Sequence, residues 1–224
     1  GTINSTLTLA IVDAITDDNF DSVADQTVSV TTVDNDAAGF TISQSGGSTS
    51  VAETGTTDTF TVVLDAQPAS NVVINITSSD TGEATVTGTL TFTPANWNSA
   101  QTVTVTGVND SIIDGTITST ITIAVNDASS DNNFDPVNDQ TVSVTTTDND
   151  VAGFTVVESG GSTSVAETGT TDTFTVVLNA QPASNVVLNI TSSDTGEATV
   201  NSPLTFTSGN WNSAQTVTVT GVND

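Results

Sequence analysis

The sequence predicts an all-β fold of tandem β-sandwich domains, about 114 residues per repeat, stacked end to end. Three observations carry this prediction. Gly1–Asp110 aligns without a gap onto Gly115–Asp224, and 22 of those 110 positions differ. That spacing suits one small domain per repeat and is too long for a helical or leucine-rich solenoid. Apolar residues alternate with Thr and Ser, as in Thr27-Val28-Ser29-Val30-Thr31 and Thr102-Val103-Thr104-Val105-Thr106. This period of two puts Val and Ile on one face of a strand and hydroxyls on the other. No segment carries a helical apolar stripe capped at both ends.

The elements follow in order. Ile3, Leu7, Leu9 and Ile11 share one parity and open the chain with a strand; residues 27–31 alternate and supply a second. In the complete repeat about seven to nine strands are expected, near 40–43, 48–53, 59–65, 72–78, 84–86, 90–93, 102–106, 116–125 and 141–147. Thr, Val and Ile dominate them because β-branched side chains suit a pleated surface. Turns fall at Gly46-Gly47, Gln67-Pro68-Ala69 and Asp80-Thr81-Gly82, with a long loop at Asp127–Asp139. Short alternating strands with turns at this spacing suggest an immunoglobulin-like sandwich. Trp97 and Trp211 follow Phe92 and Phe206 and are expected to plug one end of a sandwich rather than stack on carbohydrate. The seam between repeats is Asp34-Asn35-Asp36 and its copy Asp148-Asn149-Asp150. Residues 1–36 therefore read as closing strands of a partial repeat, 37–150 as a complete sandwich, and 151–224 as opening strands of another. A chain that starts and stops inside a repeat is expected of a window in a longer array, or of a unit that joins copies of itself.

Composition narrows the function. The chain holds no Lys, Arg or His against 26 Asp and Glu, a net charge of −26. Clustered carboxylates must then be compensated by backbone N–H groups, water or bound cations. Nucleic-acid binding and electrostatic docking on anionic lipid are excluded, because Lys and Arg lead both. Cysteine is absent, so disulfides and thiolate metal sites are excluded. No apolar run approaches the ~20 residues that span a bilayer. Nucleophile–base pairs have no His, Lys or Cys to draw on, and a glycosidase carboxylate pair would need a cleft with aromatic subsites. With aromatics at 4%, no enzyme is expected.

Two constellations could hold a metal. At the seam, Asp34, Asp36, Asp148 and Asp150 mark a domain pole. Glu53 and Glu167 end strands in Ser-Val-Ala-Glu, and Asp110 begins a loop containing Asp114. Hard oxygens converging without a basic residue suit calcium; a solvated acidic turn is the alternative. The second constellation is Asp131, Asn133, Asp135 and Asp139 in the long loop, repeated as Asp17, Asn19, Asp21 and Asp25. It matches the front of an EF-type calcium loop without the glycine at six or the glutamate at twelve. The alternative there is a polar loop whose Phe134 or Phe20 tucks onto the core. Asp80 with Glu83, and Asp194 with Glu197, read as plain turns.

The succession Ser50–Leu64, Leu90–Trp97, Gln101–Asp110 and Asp148–Asp150 resembles Calx-beta-like tandem repeats of giant bacterial adhesins and matrix proteins. The resemblance implies calcium near the inter-domain pole, with Glu53, Asp110, Asp114, Asp148 and Asp150 as ligands. Glu167, Asp224, Asp34 and Asp36 would be their copies. The usual Asp-Asp-Asp terminus is Asp-Asn-Asp here, and the loop after Asp110 keeps only Asp114. The expected function is an extender segment of a long secreted or cell-surface fibre, stiffened by calcium. Two alternatives are a subunit of a filament joined head to tail by strand complementation, and a carbohydrate-binding module. Expected partners are further copies of the repeat, with glycans or other cells engaged through regions outside this segment.

Overall fold

In the computed structural model, residues 1–12, 15 and 17–223 are described, and among them the fold is all-β with only short 3-10 turns. An antiparallel hairpin comes first, β1 (Ile3–Leu9) paired with β2 (Gln26–Thr32). Nine strands follow: β3 (Phe40–Gln44), β4 (Thr49–Ala52), β5 (Thr57–Leu64), β6 (Val72–Ser78), β7 (Ala84–Val86), β8 (Thr89–Phe92), β9 (Gln101–Gly107), β10 (Ile117–Val125) and β11 (Gln140–Thr147). They form two sheets, ordered β3-β5-β9-β7 and β4-β11-β10-β6-β8. All nine strand positions read from period two are occupied, at the upper end of the seven to nine expected, with every end within two residues of its expected place.

The two sheets close on each other because each strand turns one parity inward. Phe60, Val62 and Leu64 of β5, Val72, Ile74 and Ile76 of β6, and Val103 and Val105 of β9 are buried in one core. Ile121 and Ile123 of β10 join Val142 and Val144 of β11 there. The intervening Thr and Ser mostly face out, which keeps a chain without lysine or arginine wetted. Strand β4 pairs parallel to β11, while β3 pairs with β5. The turn at Gly46–Gly47 thus switches the chain from one sheet to the other, as sandwich corners do. Trp97 is partly buried against the core, and its carbonyl accepts the Leu64 N–H at 3.2 Å.

The chain then repeats its opening strands as β12 (Phe154–Glu158), β13 (Thr171–Leu178), β14 (Val186–Leu188), β15 (Ala198–Val200), β16 (Leu204–Phe206) and β17 (Gln215–Gly221). The sheet β12-β13-β17-β15 reproduces β3-β5-β9-β7, whereas the opposite sheet is reduced to β14-β16. Residues 163–166, the copies of β4, form no strand. Strand β4 has β11 as its partner, whereas among the described residues no strand pairs with 163–166.

Candidate metal centre

The site forms where β4, β9 and β11 end at one pole. Strand β4 ends at Ala52, so Glu53 follows directly; β9 ends at Gly107, three residues before Asp110; β11 ends at Thr147, next to Asp148. Gly107 permits the convergence. A Cβ there would lie 2.1 Å from the Ala52 carbonyl oxygen, so only glycine lets β4 and β9 approach this closely. The Glu53 N–H then donates to the Thr147 carbonyl at 3.1 Å, tying the third strand in.

Three overlapping carboxylate triads result: Glu53, Asp114 and Asp148; Glu53, Asp110 and Asp150; Glu83, Asp110 and Asp114. Within each triad the ligand oxygens lie within 4.8 Å of one another. The backbone holds the cluster in place. Asp148 accepts the Asp114 and Gly115 N–H groups at 3.1 and 2.9 Å and the Asp150 N–H at 2.6 Å. Asp110 accepts the Ile112 N–H at 2.7 Å, and Glu53 accepts the Asn149 N–H at 3.3 Å. Asn149 also donates its side-chain amide to Asn109 at 2.9 Å, so the asparagine of the triplet staples the loop.

Electrostatics separates the members. Three backbone donors hold the Asp148 carboxyl below its ordinary range. Burial, then repulsion from neighbouring carboxylates, raises Glu83, Asp114 and Asp150. Burial also raises Glu53, outweighing the Asn149 hydrogen bond. Glu83 Oε2 and Asp150 Oδ2 are buried without a hydrogen-bond partner. A buried carboxylate oxygen in that state is costly unless a cation reaches it. The donor set is all oxygen, and two oxygens ~2.4 Å from one ion stand at most ~5 Å apart, so the triads fit calcium.

The structure brings together Glu53, Asp110, Asp114, Asp148 and Asp150, and adds Glu83, which the sequence presents as part of a plain turn. The turn itself is real: Gly82 N–H donates to Asp80 at 2.9 Å. Glu83 is drawn in because its carbonyl accepts from Val108 N–H at 2.9 Å and from the Thr146 hydroxyl at 3.3 Å. No sequence spacing signals this; the one local cue is a glutamate immediately before the buried Ala84.

The copies are arranged differently. Asp34, Asp36 and Glu167 are exposed and join none of these triads; Asp34 pairs with the Gly1 ammonium. Asp224 lies outside the described residues. The loop constellation is also not gathered around one point. Asp131 is buried and spends its carboxylate on the Ala69, Ser70 and Asn133 N–H groups and the Asn133 side-chain amide. Those donors hold it below its ordinary range, against burial. Asp135 and Asp139 are exposed, and Phe134 is buried in the core. In the copy, Asp17 accepts from Asn19 at 2.9 and 2.6 Å, while Asp21 and Asp25 are exposed.

The loop that carries Asp110 and Asp114 also touches the following unit. Ser111 carbonyl accepts the Gln181 N–H at 2.7 Å, and Ile112 forms a parallel bridge with Gln181.

No family model and no curated protein matches the chain. Among solved structures it is similar to the apo form of the Calx CBD1 domain, at 14% identity and a TM-score of 0.36, over 50% of this chain and 98% of that one. The calcium binding domain CBD12 of CALX1.1 shares 14% identity at a TM-score of 0.33, over 82% and 76%. Domains 4 and 5 of the S-layer protein SbsC share 27% identity at a TM-score of 0.36, over 56% and 54%. Among the described residues, no helix is long and apolar enough to cross a membrane.

Proposed function

We propose that the chain is an extender segment of a long extracellular or cell-surface fibre, and that calcium stiffens the joint between its units. One observation carries this reading: six carboxylates meet at one pole with two buried oxygens unpartnered, in a chain without a basic side chain. Glu53, Glu83, Asp110, Asp114, Asp148 and Asp150 would hold the ion, which supplies the missing counter-charge. Asp110 and Asp114 flank the residues that pair with Gln181, so fixing them fixes the strap to the next unit. Binding and stiffness are thereby coupled through one short loop.

The energy needed is modest. Extracellular calcium modules bind with a Kd of ~10⁻⁴–10⁻³ M. Calcium at ten times Kd adds about 1.4 kcal/mol per site. Acting on a hinge rather than on a whole core, that suffices to bias bending. Calorimetric titration with calcium, together with small-angle scattering before and after chelation, tests the reading. Calcium uptake and a longer, stiffer particle are expected. No uptake, or scattering that chelator leaves unchanged, overturns it.

A further inference from the structure

The loop from Asn109 to Gly115 is held to the 148–150 triplet at both of its ends, and the two fastenings differ in kind. At the far end the Asp148 carboxylate accepts the Asp114 and Gly115 N–H groups at 3.1 and 2.9 Å. At the near end both partners are neutral. The Asn149 side-chain amide donates to Asn109 Oδ1 at 2.9 Å, and Asn109 Nδ2 donates to the Asp110 carbonyl at 2.7 Å. The Asn149 N–H donates in turn to Glu53 Oε2 at 3.3 Å. One relay of amides thus links the ends of β4, β11 and β9. It touches every member of one carboxylate triad: Glu53 directly, Asp110 as the neighbour of Asn109, and Asp150 as the neighbour of Asn149.

The relay has a direction that chemistry fixes. The Asp110 carbonyl can only accept, so Asn109 turns its nitrogen to it and its oxygen to residue 149. Residue 149 must then be a donor, which asparagine is and an ionised aspartate is not. Neutrality matters as much. Three carboxylates whose oxygens lie within 4.8 Å of one another repel, and they push the strand ends apart while no cation stands between them. A fastening built on a carboxylate adds to that charge, and its oxygens are drawn to the metal once an ion arrives. The amide pair adds no charge and keeps its hydrogen bonds in both states.

We propose that Asn149, through its pairing with Asn109, is the positioning residue of the calcium site, holding Asp110 and Asp150 around Glu53 before the ion binds. The inference rests on calcium binding at this pole, as proposed above, and goes beyond it by assigning the preorganisation to two side chains that are not carboxylates. Preorganisation removes the need to order the loop on binding. Its loss is therefore read as weaker binding with the same number of ions. A neutral hydrogen bond of this kind corresponds to roughly a three- to tenfold change in Kd.

The experiment is calorimetric titration of calcium into the 224-residue chain and into N149A, N109A and the N109A/N149A double variant. Each single variant is expected to bind roughly three- to tenfold more weakly at unchanged stoichiometry. The double variant is expected to bind no more weakly than the weaker single, because the two residues act as one pair. Both positions are exposed, so the melting transition in chelator is expected to stay in place. Nuclear magnetic resonance in chelator reads the pair itself. The Asn149 side-chain amide signal, identified by its absence from N149A, is expected to be displaced in N109A. Variants that bind as tightly as the parent, single losses that add in the double variant, or an Asn149 signal that N109A leaves unmoved overturn this inference alone. So does weaker binding that comes with loss of the melting transition, which is a general structural effect. A parent chain that takes up no calcium overturns the reading beneath it as well.

Discussion

Residues 37–107 and 151–221 are near copies, yet they reach different states, and the contrast isolates what closes a sandwich. In the first, Phe40, Phe60 and Val51 are buried; in the second, Phe154 is 55% exposed and Phe174 and Val165 are half-buried. The sheet formed by β12, β13, β17 and β15 survives, with the same register as β3, β5, β9 and β7. Gly221 still approaches the Ala166 carbonyl as Gly107 approaches Ala52. What is lost is the strand at 163–166, and β14 is three residues long where β6 has seven. One sheet is therefore specified by its own residues. The other depends on the β10–β11 hairpin, which supplies β-partners to β4 and β6 at the same time.

The sharpest way to break the comparison is at the matched phenylalanines. F134A removes a buried aromatic, and we expect a loss of ~3–5 kcal/mol in the stability of the complete unit. F20A removes an exposed one and is expected to cost under ~0.5 kcal/mol. Hydrogen exchange at Val103 on β9 reads the first change, and exchange at Val28 on β2 reads the second, in one molecule. Equal effects would erase the distinction between closed and open units.

The matched aspartates come next. D131A leaves the Ala69 and Ser70 amides without their partner in a part-buried setting, at a cost of about 1–2 kcal/mol. D17A breaks only an exposed turn, and its thermal unfolding is expected to match the parent within error. A D17A effect as large as that of D131A would mean that the exposed turn is clamped like the buried one.

Calcium sharpens the comparison further. At about 1.4 kcal/mol per site, saturation is expected to raise the melting temperature of the complete unit by roughly 5–8 °C. E53Q is expected to abolish most of that rise, while raising the melting temperature of the calcium-free protein, because burial already disfavours its charge. E167Q, at an exposed copy, is expected to change neither. An E53Q protein that keeps the full calcium response would remove Glu53 from the site.

The smallest expected effect is with pH. Glu53, Glu83, Asp114 and Asp150 have folded pKa values above their ordinary ones. The folded state thus takes up protons first, and the calcium-free complete unit gains stability as pH falls from neutrality towards about 4. Below that, Asp131 and Asp148, whose pKa values are lowered, lose their charged hydrogen bonds and stability falls again. Calcium should flatten or invert the upper limb, because protons compete for the same oxygens. Thermal melts across pH with and without chelator check this; identical profiles would count against an ion at the pole.

Much of the candidate site was legible in the sequence because its members lie at strand ends. Glu53, Asp110 and Asp148 close β4, β9 and β11, and a strand end is visible wherever alternation stops. Glu83 was not legible, since the Asp80-Thr81-Gly82 turn before β7 looks like any polar glycine turn. Only its contacts with Val108 and Thr146, far along the chain, bring it to the pole. Asp131 illustrates the converse. Its spacing resembles a metal loop, but burial beside the Ala69 and Ser70 amides commits its oxygens to the backbone.

Local pattern alone determined the strands of the complete repeat, their inward faces and the lack of any basic side chain, because alternation and charge are properties of neighbouring residues. Tertiary structure decided which copy of each motif is buried, whether residues 49–52 and 163–166 become strands, and which carboxylates share one pole. Those outcomes depend on partners a hundred residues away, as Gln140 reaching the Phe40 carbonyl shows, and no local period encodes whether such a partner is in place.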